Sequence, residues 1–368
     1  MNCMMKKIIS LILAVSMAAS LCACGGSKGS TEESARASET EAVSEAATEA
    51  VTEPETPGEN QVLDGAGIIK DLPADPSSAT IASVYAVSVP FIVALGLSDR
   101  TVAVNPKTKF WTKADEKLSK KSVGRGVVDL EVLASLDPTV LIHRSNDPET
   151  VKAVENLGVS VLCITVENMD DIESTLTMIG KYFGVSERAE EVISWEKGKF
   201  DYVKSIVDKI PEAERKKALL MGGELGRVSG NDMLQSWMIE QAGGICVVDE
   251  GEDHNWINVG VEKVFAWNPD YIFCTSSTAL EYDESDMAND PAWSAVQAVK
   301  DGNIYTIPAK TDSWDIPGLS CVIGTMYMLH TMYPEYFTAE ELQEEVDEYY
   351  TFMFGKTFSG DEIGYTLE

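Results

Sequence analysis

The sequence predicts an α/β protein built from two similar lobes that are joined by one long helix, and three observations support this fold class. A helix–strand unit at 129–142 returns as a second copy at 262–273. Strand-like segments alternate with segments of helical periodicity in both halves of the chain, which favours parallel sheets. Between the halves, 186–210 reads as one helix, with no proline until position 211. Because one helix is stiffer than a glycine-serine hinge, we expect the lobes to move little.

The repeated unit combines a short helix, a stop and a buried strand. Apolar residues within 132–136 have helical spacing, and the Asp-Pro pair at 137–138 ends the helix because the residue before proline is disfavoured in the α region. The short apolar segment 139–142 then has the character of a buried strand. The second copy aligns without a gap and places an Asn-Pro pair at 268–269. Two copies of one unit predict two lobes of similar build.

Composition excludes several classes of protein. The chain has 368 residues, of which 44% are hydrophobic, enough for two medium domains. A net charge of -31 argues against nucleic-acid binding, which needs a basic face. Four of the seven cysteines stand singly in apolar runs and form no C-x-x-C motif, so we predict neither a zinc site nor a redox site. No cofactor is expected, and the common hydrolase, metalloprotease and P-loop motifs are missing from the sequence.

The N-terminus predicts export. Residues 1–23 have the basic start and short apolar run of a signal peptide, and the segment ending at Cys24-Gly25-Gly26 resembles the bacterial lipoprotein box. That resemblance implies lipidation of Cys24 and anchoring to the outer surface of the cell membrane; ordinary secretion with a cleaved leader is the alternative. Residues 24–60 are rich in Glu, Ala, Thr, Ser and Pro, which predicts an acidic, disordered tether.

The first lobe is predicted to span 61–185 and the second 211–368, with the connecting helix at 186–210. In the first lobe we predict strands at 80–85, 101–104, 139–142 and 159–164, and helices at 87–95, within the Lys-rich segment after 112, at 132–136, 148–157 and 170–183. In the second lobe we predict strands at 218–221, 271–273 and 304–307, helices at 232–242, 262–267, 293–299, 319–332 and 339–350, and loops at 222–231, 249–258 and 308–317. The apolar helix at 319–332 is shorter than the roughly 20 residues of a membrane span, which favours a place in the core.

Motifs spread over 79–354 resemble the bilobal substrate-binding proteins of ABC importers for iron complexes and vitamin B12. They occur in the order A-L-G at 94–96, D-L-E-x-L-x-x-L-D-P at 129–138, L-G-V-x-V at 157–161, E-x-x-x-x-x-N-P-D at 262–270, D-P-A-W-x-x-V-x-A-V-K-x-G-x-I-Y at 290–305 and W-D-I-P-G at 314–318. The resemblance implies two Rossmann-like lobes, a rigid helix between them and a ligand cleft between the lobes. It also implies delivery of the ligand to a dimeric membrane permease, with Glu131 and Glu262, one on each lobe, docking against the two permease subunits.

Candidate ligand-binding residues lie in the loops that follow the strands, because open α/β sheets bind ligands beyond the carboxyl ends of their strands. In the first lobe these residues are Tyr85, Lys109, Trp111, Arg125, His143 and Arg144. In the second lobe they are Glu224, Arg227, His254, Trp256, Thr275, Ser276, Trp314 and Asp315. Loop arginines in a chain so poor in basic residues suit an anionic ferric chelate, since a guanidinium pairs with carboxylate or catecholate oxygens through two hydrogen bonds.

Two residue types in this set have alternative roles. Trp256 and Trp314 are candidates for aromatic walls around a flat organic ligand; alternatively, each is a half-buried lid. His143 and His254 come from different lobes and together could ligate a metal; alternatively they are polar surface histidines.

The hypothesis favoured by these observations is a lipid-anchored, extracytoplasmic, monomeric solute-binding protein that captures a ferric siderophore or a similar metal chelate. Cobalamin, haem, a metal ion or an oxyanion are alternative ligands for the same scaffold. A chelatase-like enzyme on a related bilobal fold is the alternative from another class, and an adhesin is a third that no motif supports.

Overall fold

A computed structural model of the chain describes residues 56–144, 147–251, 254–308 and 312–365. The predicted signal peptide at 1–23, the predicted lipidation site at Cys24 and the predicted tether up to residue 55 lie outside these ranges. All described residues belong to one structural unit, Pro54–Glu368. None of the helices in the described ranges is both long and apolar enough to cross a membrane.

The first lobe begins with a two-stranded antiparallel hairpin and continues as alternating strands and helices. Its strands are β1 (Gln61–Leu63), β2 (Ile69–Asp71), β3 (Ile81–Ser83), β4 (Thr101–Ala103), β5 (Val140–His143) and β6 (Ser160–Cys163). Its helices are α1 (Ser88–Ala94), α2 (Lys109–Ala114), α3 (Leu130–Leu136), α4 (Pro148–Glu155) and α5 (Met169–Phe183), with a 3₁₀ turn at Ser98–Arg100.

The central sheet of the first lobe is fully parallel, in the order β4-β3-β5-β6. All residues of β3 and β5 are buried, as expected for strands that are covered by helices on both faces. Every connection between neighbouring strands therefore crosses over through a helix or a turn, and the loops at the carboxyl ends of the strands meet at one edge.

One helix, α6 (Ser186–Val207), links the lobes, close to the predicted 186–210. It packs against α5 of the first lobe and against helices of the second lobe. The approach to α5 is close, because a Cβ on Gly180 would lie 2.6 Å from the Cβ of Ala189. Lys199 also pairs with Glu345 at 2.6 Å and with Glu348 at 2.8 Å. These contacts tie the connecting helix to both lobes.

The second lobe repeats the architecture and adds an antiparallel extension. Its strands are β7 (Lys217–Met221), β8 (Arg227–Ser229), β9 (Ile245–Cys246), β10 (Trp256–Asn258), β11 (Tyr271–Cys274) and β12 (Ile304–Thr306). Its helices are α7 (Leu234–Gln241), α8 (Val261–Trp267), α9 (Glu284–Asn289), α10 (Gln297–Asp301), α11 (Cys321–Met332), α12 (Ala339–Phe354) and α13 (Gly360–Ile363), with 3₁₀ turns at Glu212–Glu214 and Trp293–Ala295. The parallel strands run β9-β7-β11-β12, and the antiparallel strands β8 and β10 continue the sheet from β7.

The repeated unit adopts the same backbone in both lobes. It forms α3 and β5 in the first lobe, and α8 and β11 in the second. Each helix ends on a residue in the left-handed region just before the proline: Asp137 at φ 46° and Asn268 at φ 49°. The strand that follows pairs in parallel with the strand that comes first in chain order in the parallel part of its lobe's sheet, β5 with β3 and β11 with β7. The predicted fold class, two Rossmann-like α/β lobes, is confirmed.

Four predicted elements are wrong in detail. The Lys-rich segment after 112 is not a helix; the helix lies earlier, at Lys109–Ala114, and Asp115 then closes a turn by accepting a 3.0 Å hydrogen bond from the amide of Lys117. The predicted loops at 222–231 and 249–258 contain β8 and β10, which pair with each other. The predicted helix at 293–299 is divided by the extended backbone of Val296.

Candidate functional site

A cavity of about 410 Å³ lies between the lobes, among loops that follow strands. The first lobe contributes residues after β3 and β4, and the second contributes residues after β11 and β12. Its lining consists of Ala86, Val87, Pro90, Lys107, Thr108 and Trp111 from the first lobe, and of Ser276, Ser277, 312–313 and 316–320 from the second. The cavity thus occupies the place where open α/β sheets bind ligands.

Asn105 shapes the side of the cavity that belongs to the first lobe. Its side-chain amide donates to the carbonyl of Val84 at 2.5 Å, and its Oδ1 accepts from the amide of Lys107 at 2.9 Å. The hydroxyl of Thr108 donates to the Asn105 carbonyl at 2.5 Å. This Asx turn presents Lys107 and Thr108 to the cavity. Sequence reasoning missed both residues, although an Asn-Pro pair directly after a strand was a signal for such a turn.

Two candidates near this turn lie in different surroundings. Trp111 lines the cavity but is only 4% exposed. Its ring packs against that of Phe354, with 4.3 Å between the two ring centroids. Lys109 was predicted for the interlobe site, but the structure places it in the lining of a separate cavity of about 270 Å³, with Phe110 and Phe358. The helical turn separates the two side chains, because residues two positions apart point to different faces of a helix.

An arginine faces an aromatic ring at the edge of the first lobe. The guanidinium of Arg144 lies 6.0 Å from the ring centroid of Tyr85 and forms an ion pair with Glu167 at 3.2 Å. Tyr85 is half-buried, and burial raises the pKa of its phenol. Arg125 is also exposed and forms no ion pair within the described ranges. Both arginines are therefore accessible from solvent.

The second lobe carries a matching pair. The guanidinium of Arg227 lies 5.9 Å from the ring centroid of Trp256 and 3.7 Å from the carboxylate of Glu224. The indole of Trp256 packs on Gly222, where a Cβ would come within 3.1 Å of two ring atoms. Arg227 lies on β8 and Trp256 lies on β10, and these two strands pair in antiparallel orientation. The pairing brings the two side chains together, because it places them on adjacent strands of one sheet.

The two candidate histidines have different surroundings. His143 ends β5 and is buried. His254 is exposed in a left-handed conformation at φ 53°; its amide donates to Asp232 at 2.9 Å, and its Nδ1 lies 2.6 Å from the Asp232 carbonyl oxygen. That contact requires a proton on Nδ1, which leaves Nε2 as the nitrogen able to bind a metal. Across the described ranges, no three His, Cys, Asp or Glu side chains form a cluster that could hold a metal ion.

Asp315 organises the loop of the second lobe from inside. Its carboxylate is fully buried and accepts hydrogen bonds from the hydroxyls of Thr275, Ser276 (3.2 Å) and Ser313 (2.8 Å), and from the amide of Ser276 at 3.3 Å. Burial raises the pKa of this carboxyl, and these hydrogen bonds oppose the rise. The network fastens the loop after β12 to the loop after β11. Among the predicted site residues of this network, only Ser276 also lines the cavity.

Asp312 is the acidic residue of this loop that reaches the cavity, and sequence reasoning missed it. Trp314 Nε1 donates to the hydroxyl of Tyr350 at 3.1 Å, and that hydroxyl donates to Asp312 Oδ2 at 3.2 Å. Asp312 is 6% exposed, and burial raises its pKa to about 7. Trp314 is fully buried, so the prediction that it forms an aromatic wall of the cleft is wrong: its indole packs in the core and donates to Tyr350.

Glu131 and Glu262 lie in the first turns of α3 and α8, and both side chains are exposed. Neither forms an ion pair with any residue in the described part of the chain. A carboxylate at the start of a helix is favoured by the helix dipole, by roughly 0.3–1 kcal/mol. Both remain available to an external partner.

Comparisons with known proteins agree with this architecture. Residues 81–311, more than half of the chain, match the family described as periplasmic binding protein. The molybdate-binding protein MolA of Haemophilus influenzae is 21% identical over 259 residues, which cover 64% of this chain and 72% of MolA.

Solved structures show the same fold. A periplasmic solute-binding protein from Veillonella parvula superposes with a TM-score of 0.68 at 24% identity, covering 83% of this chain and 96% of that one. MolA of Haemophilus influenzae bound to molybdate gives a TM-score of 0.69 at 17% identity, covering 82% of this chain and 99% of MolA. CeuE of Helicobacter pylori in a nickel–histidine complex gives 0.64 at 20% identity, covering 83% and 97%. At these identities the likeness establishes the fold and leaves the ligand open.

Proposed function

The chain belongs to the periplasmic binding protein family, and from this premise we propose that it captures an anionic solute between its lobes for an ABC permease, a ferric siderophore being the first candidate. The protein acts outside the cytoplasm and binds its solute without converting it. The observation that carries the choice of ligand is a guanidinium over an aromatic ring in each lobe: Arg144 with Tyr85, and Arg227 with Trp256.

These two pairs suit a ferric chelate for a chemical reason. Catecholate and carboxylate oxygens accept paired hydrogen bonds from a guanidinium, and aromatic rings pack against the organic part of a siderophore. Each arginine already pairs with an acid, Glu167 or Glu224, so it is held in place and can exchange that partner for the ligand. Because the two arginines belong to different lobes, one chelate could be held from both sides.

An oxyanion such as molybdate is a second candidate, supported by a different observation. The cavity itself is lined by the hydroxyl residues Thr108, Ser276, Ser277, Ser313 and Ser320 rather than by the arginines. Hydroxyl and amide donors suit a compact tetrahedral anion, and the relative MolA is described as molybdate-binding. A volume of about 410 Å³ is in the range of small-molecule sites.

Delivery to the membrane completes the proposal. We place the contact with a dimeric permease at Glu131 and Glu262, since each is exposed at the same position of the repeated unit in its own lobe. Lipidation of Cys24 would hold the protein at the outer face of the membrane, with 24–60 as the tether between anchor and lobes. We propose that the protein works as a monomer.

Mass spectrometry of the protein purified from its own host tests the ligand directly. A ferric siderophore is expected to copurify as an added mass that carries iron and to give the protein a visible absorption band. A colourless protein that ignores ferric chelates and binds molybdate would replace the siderophore with the oxyanion. Turnover, such as insertion of a metal into a porphyrin, would overturn the binding role and favour a chelatase.

A further inference from the structure

Asp312 differs in its setting from the other polar residues around the cavity. Among the described lining residues it is the one acid, and Lys107, from the opposite lobe, is the one cation. No described residue forms an ion pair with Asp312. Within the described residues this acid therefore lies in the binding cavity without a cation that compensates it, which is costly if the acid is ionised.

The hydrogen bonds around Asp312 have a defined direction, in which Trp314 donates to Tyr350 and Tyr350 donates to Asp312. An indole N–H can only donate, so Trp314 Nε1 directs its proton at the Tyr350 oxygen, 3.1 Å away. The Tyr350 hydroxyl then turns its own proton towards Asp312 Oδ2, at 3.2 Å. Tyr350 is the one hydrogen-bond partner of the Asp312 side chain within the described ranges. Asp315, three residues along, receives four hydrogen bonds from Thr275, Ser276 and Ser313.

Among the residues that the structure describes, the other charged and titratable groups near Asp312 do not compensate an ionised carboxylate. Tyr349 and Tyr350 of α12 face it, and burial raises the pKa of both phenols well above the usual value, so both stay neutral. Asp315 lies on the same loop and adds no positive charge. Lys107 approaches the cavity from the first lobe but lies outside ion-pair distance. Accordingly, burial raises the pKa of Asp312 to about 7.

We propose that Asp312 is a ligand-binding residue that shares one proton with an anionic oxygen of the solute, so that the cavity takes up the anion together with a proton. Tyr350 occupies Oδ2, and Oδ1 makes the contact with the solute. The number of protons is the same in both possible forms of the complex. A protonated carboxyl of Asp312 donates to the anion, or an ionised carboxylate of Asp312 accepts from a protonated anion. In both cases the complex holds one proton between two oxygens. The proposal rests on the proposed capture of an anionic solute.

The expected pH dependence follows from that proton. Below a pH of about 7 Asp312 already carries the proton, so affinity for an anion of constant charge stays level. Above a pH of about 7 Asp312 is ionised, so the proton must be taken from solvent on binding, and affinity for the anion falls by up to about tenfold per pH unit. An ionised Asp312 would also repel the anion, and binding would be weakest at high pH.

Titration of wild-type protein and Asp312→Asn tests the proposal. Molybdate, sulfate and ferric citrate serve as probes, at about pH 6 and about pH 8.5, with binding measured by calorimetry. The asparagine is isosteric: its carbonyl can accept from Tyr350 and its amide can donate to the anion, without a titrating proton. Asp99→Asn, on an exposed 3₁₀ turn of the first lobe, is the matched control.

The probe that binds wild-type protein most tightly is expected to lose at least tenfold in affinity between the two pH values in wild type and in Asp99→Asn. In Asp312→Asn the affinity should change less than threefold and should exceed that of wild type at the higher pH. Equal pH dependence in Asp312→Asn and wild type would overturn the proposal. So would level binding in wild type, or no binding of any probe at the lower pH. In the last case the ligand mass found on host-purified protein still decides the proposed function separately.

Discussion

The two copies of the repeated unit share a backbone conformation but differ in the residue at the N-cap of the helix. In the first lobe Asp129 caps α3 by accepting a 3.0 Å hydrogen bond from the amide of Val132. In the second lobe Gly260 precedes α8 and offers no side-chain cap. Both helices nevertheless end on a residue in the left-handed conformation, Asp137 or Asn268, and lead into a buried parallel strand. The common backbone is therefore specified by the apolar pattern and the stop rather than by the cap.

The lobes also differ in how they form the cavity. The first lobe presents Lys107 and Thr108 on a turn that Asn105 holds through three hydrogen bonds. The second lobe presents a loop that the buried Asp315 fastens from inside, with Asp312 turned towards the cavity. The two lobes thus have similar frameworks, and the cavity between them is lined by unlike loops.

Charge reversal at Glu131 and Glu262 should have the largest effect, a loss of solute uptake, because these residues occupy the same position of the repeated unit in the two lobes. Glu131→Arg or Glu262→Arg is expected to impair uptake, and the double variant to abolish it, since each places a cation where the permease is proposed to present one. Uptake of labelled ligand by whole cells measures this. Solute affinity of the isolated protein should be the same in all three variants.

Glu149→Arg is a suitable control, since Glu149 lies in the first turn of α4, outside the repeated unit. It is expected to leave uptake unchanged. Loss of ligand binding by the correctly folded Glu131→Arg or Glu262→Arg protein would place these side chains in the cleft and contradict the docking role.

The two arginine–aromatic pairs test whether both lobes hold the same ligand. Arg144→Ala and Arg227→Ala should each weaken an anionic ligand by about 1.5–3 kcal/mol, the scale of a hydrogen bond to a charged group. Calorimetric titration measures both, and Lys204→Ala, which removes an exposed pair on α6, is the control. An effect confined to one lobe would show that only that lobe's arginine contacts the ligand.

Substitution of Asp137 and Asn268, the two residues in the left-handed conformation before the prolines, should have a smaller effect on stability that is similar in both lobes. Asp137→Val and Asn268→Val place a β-branched residue at φ 46° and φ 49°, which should lower the free energy of unfolding by about 1–2 kcal/mol each. Glycine at the same positions has no Cβ penalty and should remain near the wild-type value. Chemical denaturation checks this, and a much larger loss in one lobe would show that its stop has a further role.

The sequence was sufficient to predict the elements whose pattern is local. The repeated unit, the connecting helix and most of the alternating strands follow from apolar spacing and stops, and the structure confirms them. The strands β8 and β10 were missed because each has only three residues and lies in a segment that reads as a loop: β8 is flanked by Gly226 and Gly230, and β10 ends two residues before Gly260. Their pairing is visible only once the chain is folded.

Side-chain direction within a loop was the harder problem. The loop at 308–317 was predicted to reach the ligand, but Trp314 and Asp315 were chosen and Asp312 was not. Which neighbours turn inward depends on partners far away in sequence: Tyr350 receives the Trp314 indole N–H, and Thr275 and Ser276 bind Asp315. No local pattern carries that information, because adjacent residues of an irregular loop share no fixed periodicity.

The central claim, that the cavity between the lobes captures the solute, is tested most directly by filling it. Ala86 lines the cavity with a small side chain, whereas Ala213 is exposed on a surface turn, so Ala86→Trp and Ala213→Trp form a matched pair. The measurement is the rise in unfolding temperature on adding ferric siderophores, molybdate and the other candidate solutes. We predict that one of them stabilises wild-type protein and Ala213→Trp equally and leaves Ala86→Trp unchanged. Equal stabilisation of Ala86→Trp, or no stabilisation of wild-type protein by any of these solutes, would contradict the account.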